Sequence, residues 1–293
     1  MVQTSQLAAE NLFSAKGHVC VVTGGGTGIG LMITQALAAN GARVYITSRR
    51  KEVLENTAKT HSPSGDGEII PIGPCDVTKK EDLENLVAEI GKKEKSIDLL
   101  VTNAGISGPK GSPESSDASE LNKNLFKNED FASWSDTFNT NVTSVYFTTT
   151  AFLPLLQASI KKDDHHLSPS VIVISSMSGI MRDSQNHFAY NAAKGATVHL
   201  AKLMSYEFKE AGIRVNSIAP GYFPSEMTAK ESGEDNKSEL PDEKIQEKGH
   251  VPHGRAGSDE EMAMGALFLM KNKYVNGEII AIDGGALLEL PGR

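Results

Sequence analysis

Seven short apolar runs, separated by helical segments, restrict the fold of this chain more than any other feature. They occupy residues 18–23, 42–47, 69–72, 97–102, 171–176, 213–218 and 278–282. Their length and β-branched content suit strands buried on both faces. Helical patterns lie between them, for instance at 81–93 and 259–270. Strands and helices that alternate in this way form a parallel sheet with right-handed crossovers, for which the strand order 3-2-1-4-5-6-7 is expected. The alternation is continuous over 293 residues, so one α/β domain spanning 1–293, with its core at about 15–285, is favoured over two small ones.

Ligands of such sheets sit at the carboxyl ends of the strands. The polar clusters of the chain gather there: Gly24 to Gly30, Arg49, Asp76, Asn103, Ser176 and Pro220-Gly221. The first is Gly24-Gly25-Gly26-Thr27-Gly28-Ile29-Gly30, set between a strand and a helix expected over 31–40. A glycine turn lets the backbone approach a pyrophosphate, and the helix N-terminus offers unpaired N–H groups and a positive dipole end. The spacing differs from Gly-x-Gly-x-x-Gly, and no lysine follows Gly30 as a nucleotide-triphosphate loop requires.

Tyr190 and Lys194 stand four residues apart in Phe188-Ala-Tyr-Asn-Ala-Ala-Lys-Gly195. On one helix that spacing puts both side chains on the same face, one turn apart. An ammonium beside a phenol lowers the phenol pKa and fits it to exchange a proton with a carbonyl or hydroxyl oxygen. Ser176, fourteen residues earlier, is the expected donor to the developing negative charge, with Ser178 as its rival.

With these residues in view, the chain resembles the short-chain dehydrogenase/reductase family over nearly its whole length. The matching motifs are Thr23-Gly24-x-x-x-Gly28-x-Gly30, Asp76-Val77, Asn103-Ala104-Gly105, Asn141-Val142, Ser176, Tyr190-x-x-x-Lys194, Pro220-Gly221 and Asp283-Gly284-Gly285. The resemblance implies a Rossmann-type, doubly wound, seven-stranded single domain with Asn141, Ser176, Tyr190 and Lys194 as its catalytic four. It further implies that Asn141, through a water, links Lys194 to solvent, and that Lys194 bonds the nicotinamide ribose. Around the cofactor it places Gly24, Thr27, Gly28, Ile29, Gly30, Ser48, Arg49, Asp76, Val77, Asn103, Ala104, Gly105, Tyr190, Lys194, Pro220, Gly221, Phe223 and Ser225. Pro220-Gly-Tyr-Phe-Pro-Ser-Glu-Met227 and Gly254-Arg-Ala-Gly-Ser-Asp-Glu-Glu261 look most like rhamnolipid-type 3-oxoacyl-carrier-protein reductases. Departures are Thr102 in place of a first Asn, Ser225 in place of Thr, and a longer stretch at 107–130, read as a surface insertion bordering the site mouth.

Cofactor choice turns on the end of the second strand. Thr47-Ser48-Arg49-Arg50 holds two arginines and no acid, which suits the 2′-phosphate of NADP(H) rather than the free ribose of NAD. No metal is expected, because the histidines form no ligand spacing and His165-His166 lies in a polar loop. The net charge of −8 argues against nucleic-acid and anionic-membrane partners. With no membrane-length apolar run, no signal h-region, no peroxisomal address at Arg293 and only two cysteines, a cytoplasmic, reducing location is expected. Cys20 and Cys75, two strands apart in this sheet order, should be about 9.5 Å from each other, too far to bridge.

The function expected is NADP(H)-dependent hydride transfer between nicotinamide and a carbonyl or secondary alcohol, with Tyr190 as general acid/base. Alternatives are a 3-oxoacyl-(carrier protein) reductase, a dehydratase or epimerase, and a non-catalytic NADP-binding sensor. Ala211 replaces an arginine common in carrier-protein reductases, and the expected substrate-covering segment, 222–253, is acidic at 231–239. Both features favour a free small-molecule substrate. Apolar residues surround the helices at 131–156 and 188–208, so a homodimer or homotetramer is expected.

Overall fold

The computed structural model describes residues 3–160 and 169–290. His165, His166 and Arg293 lie outside the described residues. Seven parallel strands make one sheet: β1 (Val19–Thr23), β2 (Arg43–Thr47), β3 (Glu68–Pro71), β4 (Leu99–Thr102), β5 (Ser170–Ile174), β6 (Arg214–Pro220) and β7 (Ile279–Ile282). Their order, β3-β2-β1-β4-β5-β6-β7, is the expected one. The helices are α1 (Ala9–Leu12), α2 (Gly28–Ala39), α3 (Lys51–His61), α4 (Lys80–Gly91), α5 (Ala118–Asn124), α6 (Phe131–Phe138), α7 (Ser144–Gln157), α8 (Phe188–Glu207), α9 (Glu226–Ala229), α10 (Asp242–Gln246), α11 (Asp259–Lys271) and α12 (Ala286–Glu289).

Every residue of β1, β4, β5 and β6 is buried, because helices cover both sides of the sheet. One core unites Cys20, Val22, Leu99 and Ile172 with Ile33 and Leu37 of α2 and Met262 and Leu269 of α11. The other unites Val21, Leu100 and Val173 with Leu83 of α4, Phe152 of α7 and Met204 of α8. α11 starts on a reciprocal cap between Ser258 and Glu261. It ends on Arg214, fully buried, whose guanidinium donates to the Leu269, Met270, Asn272 and Val275 carbonyls. Cys20 and Cys75 are buried free thiols.

Several segments depart from the sequence reading. α2 begins at Gly28 rather than Leu31, so the last glycines of the turn form its first helical turn. β5 stops at Ile174, which puts Ser176 as well as Ser178 beyond the strand. The 107–130 insertion contains α5, started by the Asp117 carboxylate accepting from the Glu120 N–H at 2.9 Å. Between α6 and α7 the helix widens into a π-turn, Asn139–Thr143, with Asn141 inside it. No helix among the described residues is long and apolar enough to cross a membrane.

Candidate active site

Because all seven strands are parallel, their carboxyl ends share one edge of the sheet, and the predicted site residues collect there. The glycine turn leaves β1 with Gly24 at φ +65° and Gly28 at φ +51°, a backbone region that favours glycine. A Cβ on Gly30 would lie 2.1 Å from the Gly24 carbonyl oxygen, and one on Gly28 2.8 Å from Ser225 Cβ. Asn103, at the end of β4, holds the turn, its amide donating to the Thr23 and Gly24 carbonyls at 3.0 and 3.2 Å. Thr23 Oγ1 in return accepts the Asn103 and Ala104 N–H groups at 3.0 and 3.2 Å. Thr27 is the N-cap of α2, yet its side chain caps nothing, so the first N–H groups of the helix keep their capacity for an anion. This side-chain-free cradle fits the pyrophosphate of a dinucleotide.

Beyond the cradle, Ser48 bonds its hydroxyl to Arg50 at the turn after β2. Arg50 forms a two-pronged ion pair with Glu226, at 3.1 and 2.8 Å. Arg49 is exposed and acts on Asp76. Burial works to raise the Asp76 carboxyl, but hydrogen bonds from Thr78 Oγ1 and N–H and the Arg49 charge hold it below its usual value. Two expected cofactor residues turn inward. The Phe223 ring belongs to the core, where a Cβ on Gly257 would meet it at 2.3 Å, and Val77 is 8% exposed in the opposite core. Their side chains pack the domain. Gly221 abuts Asp283, and Ser225 caps α9. Ile29 packs on the core beside the turn.

Tyr190 and Lys194 share α8, as their spacing requires. The Ser176 hydroxyl acts on the Tyr190 phenol as a hydrogen-bond partner and accepts the Ser178 N–H at 3.1 Å. Lys194 is 4% exposed; its Nζ sits 5.8 Å from the Tyr190 ring centroid and donates to the Ile174 carbonyl at 2.9 Å. The expectation that lysine lowers the phenol pKa is not met by the protein groups alone. Burial pushes the Tyr190 phenol above its usual value against the Ser176 hydrogen bond, and burial pushes Lys194 down to about 8.

Asn141 is fully buried, and its side chain grips the Ile106 backbone from both sides, accepting at 3.1 Å and donating at 2.9 Å. Its carbonyl takes the Thr197 hydroxyl at 2.7 Å. No hydrogen bond joins Asn141 to Lys194 among the described residues. The side chain therefore fixes the strand-four loop, where a Cβ on Gly105 would lie 2.7 Å from Asn141 Oδ1 and 3.8 Å from Lys194 Nζ.

The acidic stretch at 231–239 is held on α3, on the β2 side of the sheet. Asn236 donates to Val53 O and Thr57 Oγ1, Asn56 to Glu234 O, and His61 bonds Asp235 O. On the tyrosine side, Tyr222, Lys248 and His250 of the expected covering segment meet Gln185 and His187, which the sequence reading missed, and Gln185 Nε2 donates to Tyr222 Oη at 2.8 Å. Proximity of Gln185 and His187 to Tyr190 in the chain was their only signal.

A glycine turn after the first strand of a seven-stranded parallel sheet, beside a Ser–Tyr–Lys group, is the arrangement of an oxidoreductase of the nicotinamide-dependent class. Residues 18–236 match the short chain dehydrogenase family, and the chain belongs to it. It is 42% identical over 295 residues to the short-chain dehydrogenase/reductase PhomF of Diaporthe leptostromiformis, covering 98% of this chain and 97% of the relative. It is 33% identical over 275 residues to the rhamnolipids biosynthesis 3-oxoacyl-[acyl-carrier-protein] reductase of Pseudomonas aeruginosa, covering 93% and 97%. The Pseudomonas aeruginosa RhlG/NADP active-site complex superposes with a TM-score of 0.78 at 33% identity, over 94% of this chain and 98% of that one.

Proposed function

We propose that the chain is an NADP(H)-dependent oxidoreductase that interconverts a carbonyl compound and its secondary alcohol, with Tyr190 as the general acid/base. The observation that carries this reading is the meeting of Ser176, Tyr190 and buried Lys194 at the same sheet edge as the glycine cradle. When bound, reduced nicotinamide supplies a hydride to the carbonyl carbon. Tyr190, protonated near neutral pH, gives its phenolic proton to the carbonyl oxygen and takes it back in the reverse direction. The Ser176 hydroxyl donates to the same oxygen as negative charge develops. Lys194 steadies the phenolate left behind and, with its pKa near 8, exchanges a proton near neutral pH. Asn141 acts as a positioning residue through Ile106 and Thr197.

Gly24, Thr27, Gly28, Gly30, Asn103, Ala104 and Gly105 would hold the cofactor backbone, with Asp76 and Ser48 beside its adenosine half. Exposed Arg49, free of the ion pair that occupies Arg50, supports NADP(H), as does the NADP-bound neighbour at 33% identity. The substrate proposed is a free small carbonyl compound; the 3-oxoacyl reductase relative supports the carrier-bound alternative. Tyr146, Phe147, Leu203 and Tyr206, exposed on α7 and α8, support a homodimer or homotetramer. Two buried free cysteines suit a cytoplasmic setting. The test is an NADPH-consumption screen over ketones, β-ketoacyl thioesters, quinones and sugars. Oxidation of NADPH by at least one ketone supports the reading, and NADPH binding without any turnover favours the sensor.

A further inference from the structure

Three segments distant in sequence meet beside Tyr190 and bring positive charge with them. The insertion contributes Lys110, the loop before α8 contributes Gln185 and His187, and the segment after β6 contributes Tyr222, Lys248 and His250. The Gly111 N–H donates to the Asn186 carbonyl at 2.9 Å, which ties the insertion to the α8 loop. Gln185 and Asn186 hold φ values of +47° and +65°, a strained region for residues with side chains, of the kind that marks functional loops. Gln185 reaches both Tyr222 Oη, at 2.8 Å, and His250 Nε2, at 3.2 Å, and those two groups bond each other at 2.9 Å. Lys248 Nζ stands 4.6 Å from the Tyr222 ring centroid. The His187 ring lies 6.3 Å from that of Tyr190, and its Nδ1 is buried with no hydrogen-bond partner.

Lys110 is close enough to repel charge on both Lys248 and His187, adding to the burial that already disfavours it. Neither Lys110 nor Lys248 has an acidic partner among the described residues. Two carboxylates lie nearby without pairing with either lysine: Asp183, whose charge acts on the Tyr222 phenol, accepts the Gln185 N–H at 2.9 Å, and Glu129 accepts the Trp134 indole N–H at 2.5 Å beneath Gly111. The acids of 231–239 are held on α3, so they do not screen this side. Two lysines without an ion-pair partner beside a reacting residue offer their charge to an anionic group of the substrate.

We propose that this cluster receives the carboxylate of the substrate, so that the enzyme acts on a small oxo acid or hydroxy acid. Lys110 and Lys248 supply the charge; Gln185, Tyr222, His187 and His250 supply neutral hydrogen bonds. The inference rests on Tyr190 being the reacting residue and adds the class of compound presented to it.

The test compares 2-oxo-, 3-oxo- and 4-oxopentanoate with their methyl esters, using NADPH at low ionic strength, in the wild type and in a Lys110→Gln/Lys248→Gln double variant. We expect at least one acid to exceed its ester in kcat/KM by about tenfold or more in the wild type. In the double variant that ratio should fall to within about twofold, and in the wild type it should shrink at high salt. A wild-type ratio of one or less for all three pairs, or a ratio that survives in the double variant, overturns the inference while leaving the oxidoreductase reading intact. Preference for 3-oxopentanoyl carrier protein over the free acid by more than about tenfold also overturns it. If no probe is turned over, the reductase reading is the one in difficulty. Quenching of bound NADPH fluorescence by acid and ester then decides the inference: tighter acid binding supports it, and equal binding overturns it.

Discussion

Arg50 and Glu226 form a two-pronged ion pair that spans from the turn after β2 to α9, with N···O distances of 3.1 and 2.8 Å. The pair takes one of two adjacent arginines out of the competition for a cofactor phosphate and leaves its neighbour, Arg49, beside Asp76. Discrimination between NADPH and NADH should therefore rest on Arg49. Arg49→Asp is expected to lower the NADPH/NADH ratio of kcat/KM by tenfold or more, about 1.4 kcal/mol, by removing a phosphate partner and adding a ribose one. Arg50→Ala should change that ratio by less than about threefold. Equal effects of the two substitutions would remove Arg49 from this role.

The glycine cradle predicts a steric result. Ala at position 30 would drive its Cβ to within 2.1 Å of the Gly24 carbonyl, a backbone contact that no rotamer relieves. Gly30→Ala should cost about 3 kcal/mol of stability and weaken dinucleotide binding. Gly91→Ala, where a Cβ meets nothing within 4 Å at the end of α4, should be neutral or stabilising. Denaturant titration of both variants, with and without NADPH, gives the comparison.

Much of this architecture is legible in the sequence, for reasons specific to each part. The strands announce themselves as β-branched runs, and the spacing of Tyr190 and Lys194 fixes their common helical face. The start of α2 is hidden because glycine reads as loop, whereas contact with Gly24 and Ser225 makes glycine obligatory inside that first turn. The π-turn at Asn141 is set by its grip on Ile106, 35 residues away. Asn236 is received by α3 from about 180 residues away at φ +63°, so the acidic run, whose shape the sequence leaves open, is docked. Local pattern carries no record of such long-range partners. Gln185 and Asn186 are illegible for a similar reason, since their left-handed backbone is imposed by the surrounding loops.

Lys194 predicts a pH dependence of stability. Burial lowers its pKa from the ordinary 10.5 to about 8, so between those values the unfolded chain holds a proton that the native state has released. Native stability rises with pH across that window, and the cost of the buried charge is fully present below pH 8. Wild type should therefore gain on Lys194→Met by about 1.4 kcal/mol per pH unit from pH 8 to 10. Urea denaturation at half-unit intervals checks this, and parallel profiles for the two proteins would contradict it.

Association is expected through the exposed apolar residues of α7 and α8. Phe147, 42% exposed, and Leu203, 49% exposed, stand on these helices beside Tyr146 and Tyr206. Light scattering at micromolar concentration should return twice or four times the chain mass of 31.4 kDa. Phe147→Glu/Leu203→Glu should reduce it toward the monomer. A wild-type monomer would remove the interface.

The most direct measurement of the central claim is single-turnover and steady-state reduction by Tyr190→Phe, on any ketone that the wild type accepts. The substitution removes one hydroxyl from a site where Ser176 and Lys194 stay in place. If Tyr190 transfers the proton, kcat should fall by about a thousandfold or more, while NADPH binding, read by its fluorescence, changes by less than about threefold. Retention of kcat to within about tenfold of wild type, with NADPH binding intact, would contradict the account and move the proton donor elsewhere.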